Sequence, residues 1–344
     1  MKDFVFGKNQ AGLITDYVTR KYLTGVDISE GVVILTDKIT CFTDARYFYA
    51  AKPVLENVGV TALLLKGFES VSEYLVQNGI DTLYIDYSRV TVKEYKEYRK
   101  KFKIKDLTSK LERARSVKSE KELALIEKAC VIAQKAYHDA IKTVKKGITE
   151  TQLKNAIEKN MVKFGASGPA FPTIVAFGAN SAVPHHETGE TVLEDNMPIL
   201  VDMGCSVEGY LSDLTRTAFF GTPTDRFLSC YDTVKKANEL AIENITHGTD
   251  TCTADSYARS YLKEKGLDEY FTHSLGHGVG MEVHEFPTLS PRKKDKLKNG
   301  MVFTIEPGVY FDGDFGIRIE DTVVLSSGKV KRLFSDSKEL IILK

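Results

Sequence analysis

The stretch PILVDMGCSVEGYLSDLTRTAFFG, residues 198–221, has two apolar runs on either side of Val207-Glu208-Gly209. This pattern predicts a β-hairpin with its turn at those three residues. A ladder centred between Val207 and Glu208 places Asp202 opposite Asp213, with both side chains on one face of the hairpin. The stretch therefore predicts two carboxylates held close together among apolar side chains.

A second stretch repeats this arrangement. MVFTIEPGVYFDGDFGIRIEDTVV, residues 301–324, has two apolar runs around the predicted turn Asp312-Gly313-Asp314. Glu306 and Glu320 are equidistant from Gly313, so they form a second facing pair. The Cβ atoms of such a pair lie about 4.5 to 5.5 Å apart.

The four carboxylates have two interpretations. Exposure to solvent is the commonest fate of an acidic residue and needs no further explanation. However, like charges directly opposite each other on a ladder repel, and within an apolar sheet one member of each pair would have to be protonated. A bound cation removes this repulsion, and four carboxylates with one or two imidazoles suit two divalent ions about 3.5 to 4 Å apart. We therefore predict a dinuclear metal site.

Three of the chain's seven histidines lie in FTHSLGHGVGMEVHEF, residues 271–286. His277 stands between two glycines, so its ring meets no competing side chains and the backbone is free to adopt unusual dihedral angles. We predict that His277 is the imidazole ligand of the metal site. A hydrogen-bonded structural role is the alternative for His273 and His284.

Composition limits the class of protein. Lys and Arg together number 47, as do Asp and Glu, so no net charge attracts nucleic acid or an anionic membrane surface. No apolar run approaches the roughly 18 residues of a spanning helix, and the start of the chain lacks the apolar core of a secretion signal. The five cysteines include no C-x-x-C pair. We expect a protein of the reducing cytoplasm, with no nucleic-acid or membrane partner.

The first part of the chain has the pattern of an α/β layer. In residues 31–103, β-branched runs such as GVVILTD alternate with helical patterns such as ARYFYAAKPVLENVG. The charged segment TSKLERARSVKSEKE follows, and in it Ser119 with Glu122 forms a capping box that begins a long helix. The chain is too long for a single core. We expect two domains, residues 1–112 and residues 113–344.

The second part has the same order of elements twice, with an offset of about 104 residues. One helix begins after Ser119 and another after Pro223, and each half ends in one of the two hairpins. A second helix in each half has its cap near Thr149 and near Thr253. An ancient duplication explains this order.

Taken together, these residues resemble the pita-bread metallopeptidases, and most closely the Xaa-Pro peptidases, aminopeptidase P and prolidase. The matching pieces are VDMGCSVEGYLSDLTRT, HSLGHGVGMEVHE, TIEPGVY and GIRIEDT, with SAVPHHETG upstream, and they extend over about residues 115–340. The piece CFTDARYFYAA is similar to the N-terminal domain of the same enzymes. The resemblance implies an α+β pita-bread (creatinase/aminopeptidase) catalytic domain, preceded by an N-terminal α/β domain that is creatinase-like and ribonuclease H-like.

The resemblance also assigns roles to individual residues. The metal ligands of the family fall on the four carboxylates and the glycine-flanked histidine: Asp202, Asp213, His277, Glu306 and Glu320. The catalytic roles fall on Glu306 as general base and on His185 and His284 as donors to the oxyanion. The substrate-binding roles fall on His185, His273, His284 and Arg318. For Arg318, a structural ion pair with a carboxylate is the alternative.

The implied reaction is metal-assisted hydrolysis of the bond between an N-terminal residue and a following proline. Two divalent ions bridged by Asp213 and Glu320 would activate a shared water as the nucleophile. Because hard oxygen ligands dominate the set, we expect Mn²⁺, with Co²⁺, Zn²⁺ or Fe²⁺ as alternatives. The resemblance implies a proline-containing peptide or dipeptide as substrate and a homodimer as the assembly.

Our main prediction is a Xaa-Pro aminopeptidase, and the alternative is prolidase, a Xaa-Pro dipeptidase. The first domain weighs against methionine aminopeptidase, which shares the two-metal core. The complete ligand set weighs against creatinase, the metal-free amidinohydrolase of the family. A non-catalytic peptide- or protein-binding module of the same fold is the most remote alternative.

Overall fold

The computed structural model describes residues 4–344, and the chain divides into two units between residues 115 and 116. Strands and helices alternate through the first unit, which confirms the predicted α/β pattern. Its elements are β1 (Gln10–Ile14), α1 (Tyr17–Thr24), β2 (Gly31–Leu35), β3 (Ile39–Thr43), α2 (Ala45–Asn57), β4 (Val60–Leu64), α3 (Phe68–Gln77), β5 (Thr82–Ile85), α4 (Val92–Arg99), β6 (Lys103–Asp106) and α5 (Thr108–Ser116).

A six-stranded mixed sheet forms the centre of the first unit, in the order β4-β3-β2-β1-β5-β6. β1, β2 and β3 pair antiparallel, whereas β4, β5 and β6 join the sheet in parallel. The neighbouring residues Val33 and Ile34 enter two different apolar clusters, because successive side chains of a strand point to opposite faces. Both faces of the sheet are therefore covered.

The charged segment at the end of the first unit is helical. Leu107 precedes α5 and Leu111 lies in it, and both are buried in one of the apolar clusters of the sheet. The two leucines are about one helical turn apart, so they give this charged segment one apolar side. The boundary expected near residue 112 falls within this helix, and the chain divides after residue 115.

The second unit contains four long helices, and most of its strands lie in two larger sheets. Its elements are α6 (Glu120–Ile141), α7 (Glu150–Lys163), β7 (Gly168–Pro169), β8 (Ile174–Phe177), β9 (Met197–Met203), β10 (Cys205–Val207), β11 (Tyr210–Leu211), β12 (Leu214–Phe220), α8 (Asp225–Asn244), α9 (Thr251–Glu264), β13 (Gly276–Gly278), β14 (Glu285–Leu289), β15 (Val302–Ile305), β16 (Gly308–Phe311), β17 (Phe315–Arg318), β18 (Asp321–Ser326), β19 (Lys329–Arg332) and β20 (Ile342–Leu343). The larger sheets have the strand orders β20-β12-β9-β8 and β14-β13-β15-β18-β19.

The predicted doubling of the element order is confirmed, since each half of the second unit has two helices followed by antiparallel strands. A matching backbone contact precedes the second helix of each half. The N–H of Gly147 donates to the carbonyl of Leu193 at 2.9 Å, and the N–H of Gly248 donates to that of Leu297 at 2.8 Å. The later of these helices begins earlier than predicted, because its N-cap is Asp250 and Thr253 already lies within its first turn.

Each half has its own apolar core between helices and sheet. In the first half Ala133, Ile157 and Val201 are fully or almost fully buried, and in the second half Val234 and Phe303 are fully buried. The helices therefore bury one apolar side against the sheet of their own half. Among residues 4–344, no helix combines the length and the apolar character that crossing a membrane requires.

The first hairpin has a different register from the one predicted. Asp202 lies opposite Thr215 rather than opposite Asp213, and the turn is Glu208-Gly209. Both turn residues have positive φ, 52° and 87°, as in the two-residue turns whose twist matches that of paired strands. The prediction was therefore wrong by two residues. Because strand side chains alternate with a period of two, a shift of two residues leaves Asp202 and Asp213 on the same side.

The second hairpin has the predicted register. The residue pairs of β16 with β17, and those of β15 with β18, are all centred on Gly313. The ladder is interrupted between β15 and β16 and between β17 and β18. Glu306 and Glu320 lie at these two interruptions.

A buried cluster of charges connects β12 to β18. Arg216 Nη2 donates to Asp321 Oδ1 at 2.8 Å, and Arg216 Nε donates to Asp336 Oδ2 at 2.8 Å. These three residues are all buried. Arg216 Nη1 also donates to the backbone carbonyl of Glu320 at 2.6 Å. The cluster therefore lies directly behind one of the predicted metal ligands.

Replacing Arg216 by methionine is expected to lower the free energy of unfolding by about 3 kcal/mol, because two buried carboxylates lose their main partner. Urea unfolding followed by circular dichroism measures this change. Arg46→Met is the matched control, since Arg46 pairs with Asp44 on the surface and its loss is expected to cost under about 1 kcal/mol. A loss below that value for Arg216→Met would contradict the prediction.

Candidate metal centre

Five side chains from both halves of the second unit converge on one site. They are Asp202 in β9, Asp213 just before β12, His277 in β13, Glu306 just after β15 and Glu320 just before β18. Asp213, His277 and Glu320 each present a ligand atom within 4.8 Å of the others. His277 Nε2 lies 3.7 Å from Asp213 Oδ2 and 3.2 Å from Glu306 Oε1. The structure thus brings together all the predicted metal ligands.

Asp202 is held by an ion pair and retains one unpaired oxygen. Arg318 Nη2 donates to Asp202 Oδ2 at 2.7 Å. Asp202 Oδ1 is buried and accepts no hydrogen bond from the described residues, 4–344. A buried acceptor without a partner costs free energy, about 1 to 3 kcal/mol or more for a charged group. A cation bound next to Asp202 Oδ1 would supply the missing partner.

Burial and mutual repulsion dominate the electrostatics of the site. Asp213 is 4% exposed and Glu320 is 2% exposed. Burial raises the pKa of Asp213 well above its ordinary value, and the charges of Glu320 and Asp202 raise it further. Burial likewise raises the pKa of Glu320, and the negative charges of Glu306 and Asp202 raise it further. The hydrogen bond from Thr215 Oγ1 to Glu320 Oε2, at 2.6 Å, does not offset these effects.

His277 and Glu306 form a charged pair in this site. Burial alone would raise the pKa of Glu306, but the hydrogen bond and charge of His277 lower it to about 2. Burial alone would lower the pKa of His277, and the hydrogen bond to Glu306 raises it. When all four carboxylates are ionised and His277 is a neutral metal ligand, Arg318 balances only one of their four charges. The remaining negative charge and the oxygen-rich donor set fit divalent cations.

The glycines around His277 have a different role from the one expected. A Cβ atom on Gly276 would lie 2.0 Å from the carbonyl oxygen of Thr304, and one on Gly278 would lie 2.4 Å from that of Phe286. Neither glycine has a positive φ, so the expectation of unusual dihedral angles was wrong. These glycines instead allow β13 to lie close between β14 and β15.

The ring of His277 is oriented by its own strand. Its Nδ1 lies 3.2 Å from the carbonyl oxygen of Gly278, and its backbone N–H donates to Thr304 Oγ1 at 3.0 Å. With a proton on Nδ1 directed to that carbonyl, Nε2 faces Asp213 and Glu306. This is the arrangement expected of an imidazole that binds a metal through Nε2.

A chain of hydrogen bonds connects His273 and Arg318 with the carboxylates. Arg318 Nη1 donates to the hydroxyl of Tyr310 at 2.8 Å, and this hydroxyl lies 2.9 Å from His273 Nε2. His273 Nδ1 is 4.0 Å from Glu306 Oε2. Arg318 is only 3% exposed and forms the ion pair with Asp202 that was its alternative role.

His185 and His284 are exposed to solvent. The ring of His284 packs edge-on against that of His277, with centroids 4.3 Å apart. Burial lowers the pKa of His284, and the charges of His277 and His185 lower it further. The neighbouring His186 differs, because its Nε2 lies 2.9 Å from the buried carboxylate of Glu150. Of the neighbours His185 and His186, only His185 is therefore available at the predicted site.

Sequence reasoning missed three residues that contact the carboxylates or their partners. They are Thr215, Thr304 and Tyr310. Thr215 lies two residues after Asp213, and Thr304 lies two residues before Glu306. The alternation of strand side chains was therefore a usable signal for both threonines. Tyr310 had no comparable signal, because the strand is interrupted between it and Glu306.

Two family models match the chain. Metallopeptidase family M24 matches residues 124–327, and the creatinase/prolidase N-terminal domain matches residues 8–117. The first match contains all five predicted metal ligands. The two matches confirm the predicted fold class, a pita-bread catalytic domain preceded by a creatinase-type α/β domain.

Relatives and solved structures are similar over almost the whole chain. A Xaa-Pro dipeptidase of Pyrococcus horikoshii is 36% identical over 325 residues, which cover 93% of this chain and 91% of the relative. A structure of a Xaa-Pro dipeptidase from Bacillus anthracis superposes with a TM-score of 0.93 at 32% identity, covering 97% of this chain and 95% of that one. A structure of an X-Pro aminopeptidase from Thermotoga maritima superposes with a TM-score of 0.89 at 31% identity, covering 97% of each chain. By its matched domains, its relatives and its converging acidic residues, this chain belongs to metallopeptidase family M24.

Proposed function

We propose that this metallopeptidase is a Xaa-Pro dipeptidase that uses two divalent metal ions. The observation that carries the proposal is the convergence of four carboxylates and His277 in one site, where burial and mutual repulsion oppose the ionisation of Asp213 and Glu320 unless cations are bound. The main prediction from the sequence was a Xaa-Pro aminopeptidase. The relative from P. horikoshii and the structure from B. anthracis, both named dipeptidases, support the alternative better.

The metal ions would be held by the five predicted ligands, Asp202, Asp213, His277, Glu306 and Glu320. Asp213 and Glu320 are almost fully buried, and the other carboxylates repel both of them, so bound cations would stabilise their ionised forms. The excess of hard oxygen donors over one imidazole favours Mn²⁺. When bound, such ions polarise a peptide carbonyl and lower the pKa of water towards neutrality.

Glu306 is the proposed general base. Its Oε1 accepts a hydrogen bond from Thr304 Oγ1 at 3.0 Å and lies 3.2 Å from His277 Nε2. These contacts fix the orientation of the carboxylate, and its Oε2 lies on the side of His273. A carboxylate held in this way accepts a proton from the attacking water and passes it to the leaving nitrogen.

His185 and His284 are the proposed donors to the substrate carbonyl oxygen. Both are exposed, and His284 packs against the ligand His277, so a carbonyl bound between them lies beside the ligands. A donor of this kind stabilises the developing negative charge by about 2.7 to 4 kcal/mol in other hydrolases. We propose that His273 lines the pocket beside Glu306. Arg318 is proposed to hold Asp202, because its guanidinium is buried and already paired.

The proposed specificity predicts that a Xaa-Pro dipeptide is hydrolysed in the presence of Mn²⁺ with a kcat/KM about 10²-fold or more above that of the matching Xaa-Pro-Yaa tripeptide. A site that recognises the free proline carboxylate rejects a substrate lacking that group at the same place, because its own polar groups are then left unpaired. Steady-state kinetics with both peptides measures the ratio, with a Xaa-Ala dipeptide as control for the proline requirement.

The other outcomes of this experiment are distinct. Comparable hydrolysis of dipeptide and tripeptide would indicate the aminopeptidase. Hydrolysis of neither peptide with Mn²⁺, in a protein that binds the ion, would indicate a non-catalytic peptide-binding module. The homodimeric assembly and the cytoplasmic location stay predictions.

A further inference from the structure

The interrupted ladder of the second hairpin creates a need for side-chain hydrogen bonds. β15 ends at Ile305 and β17 ends at Arg318, and between the strand pairs the regular ladder is replaced by single contacts such as the hydrogen bond from the N–H of Ile319 to the carbonyl of Pro307 at 3.3 Å. The backbone N–H of Glu306 donates instead to the carbonyl of Leu275 at 2.8 Å, and that of Glu320 donates to the carbonyl of Thr215 at 3.1 Å. Carbonyl groups buried at such an interruption also require donors.

The side-chain amide of Asn238 supplies these donors. Asn238 lies in α8 and is fully buried. Its Nδ2 donates to the carbonyl of Ile305 at 2.8 Å and to the carbonyl of Ile319 at 3.2 Å. Each of these carbonyls belongs to the residue immediately before a predicted metal ligand, namely Glu306 or Glu320. One amide group therefore connects the backbone on both sides of the interruption.

The orientation of this amide is fixed by a charged neighbour. Lys338 Nζ donates to Asn238 Oδ1 at 2.7 Å. An ammonium group donates hydrogen bonds and accepts none, so only the oxygen of the amide can face it. The nitrogen of the amide is consequently directed to the two carbonyls. Lys338 itself is mostly buried, and its Nζ lies 3.8 Å from Asp321 Oδ2.

We propose that Asn238 is a positioning residue for the metal centre, and that it sets the separation of Glu306 and Glu320 by binding the two carbonyls that precede them. The inference rests on the proposed function, because it takes both glutamates as metal ligands. Asn238 acts through the backbone and makes no contact with the carboxylates themselves among the hydrogen bonds of residues 4–344. Loss of its amide lets the two glutamates move apart, which weakens metal binding.

The test compares Mn²⁺ binding to the parent protein and to Asn238→Leu, a neutral variant of similar size. Protein freed of metal with a chelator is titrated with MnCl₂ in a calorimeter. Residues that orient metal ligands typically contribute 10- to 100-fold to metal affinity, so we expect the dissociation constant to rise at least about tenfold. Circular dichroism and thermal unfolding are measured on the same samples.

Asn244→Leu is the matched control, because Asn244 ends the same helix, is exposed and donates only to the carbonyl of Leu240 among the described hydrogen bonds. Its Mn²⁺ affinity is expected to equal that of the parent. If Asn238→Leu does not fold, the Mn²⁺ titration is repeated with Asn238→Ser, since serine keeps one hydrogen-bond donor and leaves room for water. A smaller loss of affinity in the same direction is then expected.

Two results separate this inference from the proposed function. A folded Asn238 variant that binds Mn²⁺ as tightly as the parent, even with a lower unfolding temperature, would overturn the positioning role and leave the metal centre intact. A parent protein that binds no Mn²⁺, and none of the alternative divalent ions, would overturn the proposed function itself.

Discussion

Glu306→Gln is expected to reduce kcat/KM for a Xaa-Pro dipeptide by about 10³-fold while the protein remains folded. Glutamine preserves the size of the side chain and an oxygen that can accept the hydrogen bond from Thr304. It removes the negative charge that faces His277 and the group proposed to accept a proton. General acid–base catalysis typically contributes 10² to 10⁴ in rate, and the expected loss lies in the middle of that range.

Steady-state kinetics at several Mn²⁺ concentrations measures this effect. Because Glu306 is also a proposed ligand, saturation with metal separates weaker metal binding from the loss of the base. Glu243→Gln is the control, since Glu243 lies on the exposed surface of α8 and takes no part in the site. Activity of Glu306→Gln within about tenfold of the parent at saturating Mn²⁺ would exclude Glu306 as the general base.

Removal of the metal ions by a chelator is expected to abolish hydrolysis, and addition of Mn²⁺ is expected to restore it. The four carboxylates and His277 form one site, in which burial and mutual repulsion oppose the ionisation of Asp213 and Glu320 unless cations are bound. The same ions are expected to stabilise the folded state, because they bind the assembled site and not the scattered ligands of the unfolded chain. At a hundred times the dissociation constant, a single bound ion stabilises by about 2.7 kcal/mol.

Thermal unfolding with and without Mn²⁺ gives a measurement that is independent of activity. The parent protein is expected to unfold at a higher temperature with the ion, whereas Asp213→Asn is expected to lose most of this increase. Asp213 is central to the site, and its carboxylate lies within 4.8 Å of the ligand atoms of His277 and Glu320. Full activity after chelation and dialysis would contradict metal-dependent catalysis.

Interactions between residues close in sequence determine where some helices begin. Ser119 and Glu122 form the predicted capping box, in which each side chain accepts a hydrogen bond from the other's backbone N–H. The helix that it begins ends at Ile141. A cap depends on residues three positions apart, so the sequence specifies a start of this kind well. The end of a helix depends more on what it packs against.

The two hairpins separate what a pattern can and cannot predict. The register of the second hairpin was predicted correctly from its turn. The register predicted for the first hairpin was wrong by two residues, because its turn consists of Glu208-Gly209. The error did not change the side on which Asp202 and Asp213 lie. Side-chain alternation has a period of two, so an error of two residues preserves the face, whereas an error of one would have placed the two carboxylates on opposite faces of the hairpin.

The sequence by itself indicated the five residues that converge at the proposed metal site, and side-chain alternation indicated that Asp202 and Asp213 lie on the same side of their hairpin. Tertiary structure alone decided that Arg318 is buried in an ion pair with Asp202, that Asn238 binds the backbone beside Glu306 and Glu320, and that the glycines beside His277 make room for neighbouring strands. The physical reason is the separation in sequence of the residues on which each feature depends. Strand alternation and helix caps depend on residues a few positions apart. The meeting of β9 and β12 with β15 and β18 depends on the packing of two sheets whose residues are about a hundred positions apart in the chain.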